Sequence, residues 1–270
     1  MKFEPGPPPK IESTCAVVEP PPAPTSPPPF SPPSGPPPPP MVLHYDASLI
    51  SGVTDGDNIL TSGDSLASLA DSSGQGNSAL KACTDSKPAV YAASAFNGNP
   101  AIYLDGHGDR CLKSDSGPAH TRKTMILVFK EDPCNCAGTC GAFANYLWDF
   151  RPNWDGAYAY TTLRSDSWWQ ASMHWLNGAP ADAEVGADGS TNPCSYFTST
   201  GSILVTEASG SNSGNSFYVG AFFQHGGNSR LHFGEYRVYD STLSATEREA
   251  IECQLSSKWG VPLAAGHPCA

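Results

Sequence analysis

From Met41 onward the chain keeps returning to one device. Short runs in which apolar and polar residues alternate are closed off by Gly, Asn, Asp or Pro, as in "MVLHYDAS", "NPAIYLDG", "AYAYTTL", "SILVTEA" and "LHFGEYRVYD". Alternation with a period of two sends successive side chains to opposite faces, which is the pattern of a strand. Regular spacing with turn formers between the runs predicts an all-β, two-sheet antiparallel sandwich. "RKTMILVFK" is the most apolar run and is expected at the centre of a sheet, while "DSLASLADSSGQGNSAL" offers one helical turn before a Gly-rich bend. Only one long segment breaks the period. In "STLSATEREAIECQLSSKWG", Ser244 and Glu247 form a capping box, Ile251 and Leu255 share a face, and Gly260 can end the run. A single C-terminal helix is the expectation.

The start of the chain obeys other rules. Eighteen of the 27 prolines precede residue 41. Such a run lacks backbone donors and has φ fixed, so it favours an extended polyproline II rod over a packed core. Residues 1–40 therefore read as a semi-rigid, Pro-rich stalk open to being clasped by another chain, and residues 41–270 as one sandwich domain. The stalk carries two basic and three acidic residues, which leaves 13 basic and 23 acidic in the domain, a net charge near −10. That field repels phosphate backbones and argues against nucleic-acid binding. The longest apolar run, "MILVF", is far too short to span a bilayer. "MKFEPGPPPK" has no hydrophobic signal core, so the expectation is either a processed start or an unusual export route.

Nine cysteines are many for this length. Cys15 lies in the stalk. Cys83, Cys111, Cys134, Cys136, Cys140, Cys194, Cys253 and Cys269 form an even set in the domain, read as disulfides made in an oxidising setting. Spacing alone leaves their connectivity open. Zinc at "CNCAGTC" is the weaker reading, because no second knuckle supplies the remaining ligands.

The segments "LHYDAS", "TDGDNI", "DSSGQGNSA" and "NGNPAIYLDG", followed at the end by "EYRVYDSTLSATEREAIECQLSSKWG", resemble in order those of laminin-G-like, concanavalin A-like jelly-roll domains. The resemblance spans roughly residues 42–261. It implies two curved antiparallel sheets face to face, and it implies function only weakly, since that fold hosts lectins, adhesion modules and glucanases.

Catalytic signatures are missing. The glucanase relatives carry paired carboxylates as E-x-D-x-x-E on one strand face, and no such string occurs here. No G-x-S-x-G elbow is present, and the seven histidines form no metal pair. The chain is thus expected not to be an enzyme, with no cofactor required. Asp55 and Asp57 (with Asn58) and Asp105 and Asp109 are calcium candidates, although Asp and Asn beside Gly are also ordinary turn chemistry.

Five of the six tryptophans fall between residues 148 and 175. Strand alternation assigns Trp148, Trp169, Met173 and Trp175 to the core. It turns Asp149, Arg151, Trp168, Gln170 and His174 outward, with Trp154 at the edge in a bend. These six outward positions are the expected ligand site, since rings stack on sugars while Asp, Arg and Gln satisfy hydroxyls. The functional expectation is a lectin-like binding or adhesion module for a glycan or surface protein, extracellular or at a cell surface. The alternative is a structural assembly protein of a virion or filament.

Overall fold

The computed structural model describes residues 39–50, 54–55, 58–59, 63, 65–66, 68–82, 89–105, 112–114, 120–131, 146–149, 158–160, 171–181, 200–214, 217–219 and 230–270. All of these belong to one compact unit, residues 34–270. The Pro-rich segment before residue 39 lies outside them.

In chain order the first strands are β1 (Met41–Asp46), β2 (Thr54–Asp55), β3 (Asn58–Ile59), β4 (Ser65–Leu66), β5 (Ser68–Leu69) and β6 (Leu80–Ala82). The middle of the chain gives β7 (Ala89–Phe96), β8 (Asn99–Asp105), β9 (Leu112–Ser114), β10 (His120–Glu131), β11 (Tyr146–Asp149) and β12 (Tyr158–Tyr160). The last are β13 (Ala171–Leu176), β14 (Ala179–Ala181), β15 (Ser202–Gly214), β16 (Phe217–Val219) and β17 (Arg230–Tyr239), followed by helix α1 (Ala245–Trp259). Two antiparallel sheets build a β-sandwich: a nine-stranded one, ordered β14-β13-β15-β10-β17-β8-β7-β4 with β1 also on β17, and a six-stranded one, ordered β12-β11-β16-β9-β6-β5. β8 pairs the first half of β17 and β1 pairs the second. Where one helical turn was expected near residue 65, two short strands, β4 and β5, form instead and join different sheets. The one-turn 3-10 helix lies earlier, at Ala47–Ile50.

The central position expected for "RKTMILVFK" holds, since β10 lies between β15 and β17. Met125 to Phe129 are all buried, so both faces of this strand are covered. One face is covered by the helix and its approach. Thr124 Oγ1 donates to the Ser241 carbonyl at 3.0 Å, and Arg237 reaches the Gln254 side chain at 2.8 Å. On the other face Leu127, Leu204, Tyr236 and Val238 sit among the buried residues between the sheets.

The helix follows its local signals. Ser244 accepts from Glu247 N while the Glu247 side chain accepts from Ser244 N, and Gly260 closes the end at φ 66°. After it, the tail docks on two hairpin turns. Asn97–Gly98 and Asn177–Gly178 have positive φ at both positions, the two-residue turn that matches strand twist. Asn99 Nδ2 donates to the Lys258 carbonyl at 2.6 Å, and Ala264 N donates to the Asn177 carbonyl at 2.8 Å. A Cβ on Gly178 would lie 2.3 Å from the His267 ring, so only glycine allows that approach.

Candidate functional site

The expected ligand site divides on the structure. Arg151, Trp154, Trp168 and Gln170 lie outside the described residues, as does Trp169. Two of the six positions, Asp149 and His174, are described, and they belong to different sheets.

His174 is corrected. It is only 3% exposed, pairs with Thr206 in register, and its Nδ1 lies 3.1 Å from Thr206 Oγ1. Burial lowers its pKa to about 4, so the ring is neutral in the folded protein. Met173, expected in the core, is 48% exposed, whereas Trp175 is buried beneath the Arg248 guanidinium, 4.3 Å from its ring centroid. The reason is that both faces of the nine-stranded sheet are covered along much of their length. The register also shifts between Ala171 and Met173. Strand parity therefore does not separate core from solvent here.

Asp149 ends β11 in the six-stranded sheet. It stands opposite Tyr158 on β12 and Tyr218 on β16. Tyr218 stands opposite Lys113 on β9, Lys113 opposite Lys81 on β6, and Lys81 opposite Ser68 on β5. Directly paired residues share a sheet face, so these six positions form one cross-strand row. The neighbouring row runs Ala159, Trp148, Val219, Leu112, Ala82, and in it Val219 and Leu112 are fully buried. Trp148 shares that row by register. The Asp149 row takes the opposite face, where Lys81 and Ser68 are exposed and Lys113 is half-buried. Sequence reading missed Tyr158, Tyr218, Lys113 and Lys81; the available signal was "AYAY", whose tyrosines recur with period two.

A second concentration of charge lies under the helix. Glu235 on β17 is fully buried. Its Oε1 accepts from Arg237 Nε at 2.6 Å and lies 2.8 Å from His44 Nε2, while Oε2 accepts from Lys258 Nζ at 2.7 Å and Trp259 Nε1 at 2.8 Å. Lys258 also pairs with Asp46 at 2.5 Å. Burial would raise the Glu235 carboxyl, but the His44 hydrogen bond and the charges of Arg237 and Lys258 outweigh it and hold the pKa far below the usual carboxylate range. Trp259, the sixth tryptophan, is fully buried and meets Phe96 edge-on at 5.4 Å.

His44 links this cluster to the surface, since its Nδ1 lies 2.8 Å from the exposed Ser72 hydroxyl. Serine, imidazole and carboxylate thus stand in line, the order of a nucleophile, its base and an orienting acid. Both ends of the line have further partners. The Ser72 hydroxyl also donates to the backbone carbonyl of His44 at 3.1 Å. At the other end, Glu235 and Asp46 are already paired with Arg237 and Lys258. The neighbouring Asp71 is likewise occupied, accepting from His44 N at 2.9 Å, from the Ser73 hydroxyl at 2.7 Å and from Asn77 Nδ2 at 2.9 Å.

His44, Asp46 and Glu235 have ligand atoms close enough to share a metal, but the Lys258 ammonium already sits against both carboxylates. Of the calcium candidates, Asp55 stands opposite Asn58 in the two-stranded β2–β3 ladder, and Asp105 ends β8 opposite Arg230. Asp57 and Asp109 lie outside the described residues. Of the cysteines, Cys253 and Cys269 are joined in a disulfide, with 5.6 Å between their Cα atoms. The remaining six of the expected set, Cys83, Cys111, Cys134, Cys136, Cys140 and Cys194, lie outside the described residues.

No family model and no curated protein matches the sequence. Among solved structures the chain is similar to domain 4 of AbnA, a GH43 extracellular arabinanase from Geobacillus stearothermophilus, solved in complex with arabinotriose. Identity is 12%, the match covers 77% of this chain and 95% of that one, and the TM-score is 0.40. That degree of likeness does not extend to ligand or activity. The class defined by the fold is an antiparallel β-sandwich with one C-terminal helix. None of the described helices is long and apolar enough to cross a membrane.

Proposed function

We propose that residues 41–270 form a non-catalytic, lectin-like binding module of the laminin-G-like, concanavalin A-like jelly-roll kind. It recognises glycan or a surface protein in an extracellular wall, matrix or appendage. The observation that carries this reading is the cross-strand row Tyr158, Asp149, Tyr218, Lys113, Lys81 on the face of the six-stranded sheet opposite its buried row. A sugar presents an apolar ring face and a rim of hydroxyls. Tyrosine on either side of a carboxylate supplies stacking area and an acceptor for those hydroxyls, and the lysines extend the row toward hydroxyl or acidic substituents. The Cys253–Cys269 disulfide suits an oxidising, extracellular or cell-surface location. Arg151, Trp154, Trp168 and Gln170 remain proposed contacts, Arg151 and Trp154 because "RPNW" follows β11 after Phe150. Calcium at the four aspartates and a partner chain clasping the Pro-rich stalk are subsidiary proposals.

A glycan array probed with the full chain tests the reading. Binding to a defined sugar class, lost in Asp149→Ala, is the expected result. Silence across neutral and acidic sugars would favour the alternative, a structural assembly protein of a virion or filament packing through this face.

A further inference from the structure

We infer that Cys253, His267 and Cys269 form a three-ligand site for a soft divalent cation, zinc above all, when the chain is reduced. The inference is independent of the glycan reading and uses the helix and the tail that follows it. Cys253 lies on α1, and the tail that follows Gly260 brings His267 and Cys269 back to it. One ligand atom from each lies within 4.8 Å of the others. Tetrahedral zinc with bonds of about 2.3 Å to sulfur sets two thiolates about 3.8 Å apart. A disulfide holds them at about 2.05 Å. With the Cα atoms 5.6 Å apart, rotation of the two side chains spans that difference over a fixed backbone.

The histidine is already oriented for ligation. Cys269 N donates to His267 Nδ1 at 3.3 Å, so Nδ1 carries the lone pair and Nε2 carries the proton. Nε2 lies 3.2 Å from Glu252 Oε2 and donates to it. A carboxylate behind a histidine fixes its tautomer and raises its strength as a ligand, leaving the other nitrogen for the metal. A metal would replace only the long Cys269 N–H contact. Glu252 is fully buried and anchored by Arg248 at 3.3 Å, and its Oε1 has no hydrogen-bond partner. The ring itself is seated against Gly178, where any Cβ would collide with it. His267's side chain is 2% exposed, while the two cysteines are half-buried, which leaves a route in for an ion and a fourth position for water.

Metal and oxidant compete for the same two sulfurs. A dithiol reductant gives two electrons to the disulfide and closes to its own disulfide, and the S–S bond opens to two thiols. Cation binding then displaces both thiol protons to solvent.

Seven other cysteines also bind soft metals when reduced, so the decisive comparison is with a variant that keeps all nine thiols. The full chain, reduced with a dithiol and held without oxygen, is titrated with Co2+ as a spectroscopic stand-in for zinc. Wild type should bind one more tight equivalent than His267→Ala, with thiolate-to-metal charge-transfer absorption, and the affinity of that equivalent should fall by at least ~100-fold in the variant. Glu252→Gln should weaken it by ~10-fold, and the oxidised chain should lack it. Melting of oxidised His267→Ala, with its disulfide intact, checks the fold. Should that variant not fold, Cys253→Ser must lose the same equivalent. Equal stoichiometry, affinity and spectrum in wild type and folded His267→Ala, or in wild type and Cys253→Ser, would overturn the site.

Discussion

Two parts of this sandwich gather carboxylate, basic and aromatic residues, one by strand register together with the helix and the other by strand register alone. On the nine-stranded sheet, Asp46 pairs with Glu235, and His44 with Arg237. The helix lies over them, so every charge is consumed inside the protein and Glu235 is engaged by four side chains. On the six-stranded sheet, Tyr158, Asp149, Tyr218 and Lys113 stand in a row whose far end is exposed. Under the helix this chemistry serves as a fastener, and on the six-stranded sheet we propose that it is offered to a partner. On that proposal, cover rather than residue type separates a structural ion cluster from a recognition face.

The comparison breaks most visibly at the two carboxylates. Glu235→Ala leaves the buried Arg237 without its counter-charge and Lys258 with Asp46 alone, so a loss of about 3–5 kcal/mol is expected. Chemical denaturation would register it as a lowered midpoint or as failure to fold. A loss under about 1 kcal/mol would mean that the cluster is as replaceable as a surface pair.

Acid should find the same contrast. His174 has its pKa lowered by burial from 6.5 to about 4, so the folded state disfavours the protonated ring. Its contribution is fully present above pH 6.5 and is lost as pH falls toward 4, amounting to about 3 kcal/mol. Glu235 acts in a lower window: its depressed pKa means that its stabilisation is present above the ordinary carboxylate range and disappears as pH falls below it. Glu252 has the opposite sign, since burial raises its pKa and partly offsets the loss near its own range. Melting temperature against pH should therefore fall in two stages, and His174→Gln should flatten the upper one. A variant profile parallel to wild type between pH 6.5 and 4 would remove His174 from the account.

How much of this was legible in the sequence depended on how local the cause is. Ser244, Glu247 and Gly260 set the helix ends through neighbours within a few residues, and all three were readable. β10 was readable because five consecutive buried apolar residues fit only a strand covered on both sides. Glu235 was not. In "FGEYRV" it looks like the solvent member of an alternating strand, and its partners His44 and Lys258 lie 191 and 23 residues away. His174 misled for a related reason, because alternation reports parity but not what covers each face. The Asp149 row was hidden because β6, β9, β12 and β16 are only three residues long, and the register that joins them is non-local.

Ser72 tests the boundary between the two regions, since it is exposed yet touches the buried cluster through His44. An organophosphorus probe that phosphonylates activated serines, losing its leaving group from phosphorus, should leave it unlabelled, and Ser72→Ala should cost no more than about 1 kcal/mol, the net worth of one hydrogen bond. Labelling at Ser72 that disappears in His44→Ala would mean that the line of three groups works as a nucleophile. The outward row would then lose its claim to be where the function lies.

The smallest effect on stability is expected where the effect on function is largest. Asp149 stands one register position from the row that holds the buried Val219 and Leu112, and on the proposed reading its truncation leaves the packing between the sheets intact. Surface changes of that kind usually stay within about 0.5 kcal/mol. Asp149→Ala should therefore melt almost as wild type does while binding to an immobilised glycan falls. Lys113→Ala, two strands away in the same row, should weaken binding less for neutral sugars and more for acidic ones, because an ammonium adds most against a charged substituent. Trp168→Ala and Trp169→Ala complete the series, the first expected to weaken binding and the second to destabilise by about 3–5 kcal/mol as a buried large-to-small change. If Asp149→Ala destabilised the domain as much as Glu235→Ala, the row would be covered like the cluster, and the outward face would have to be sought on another part of the sandwich.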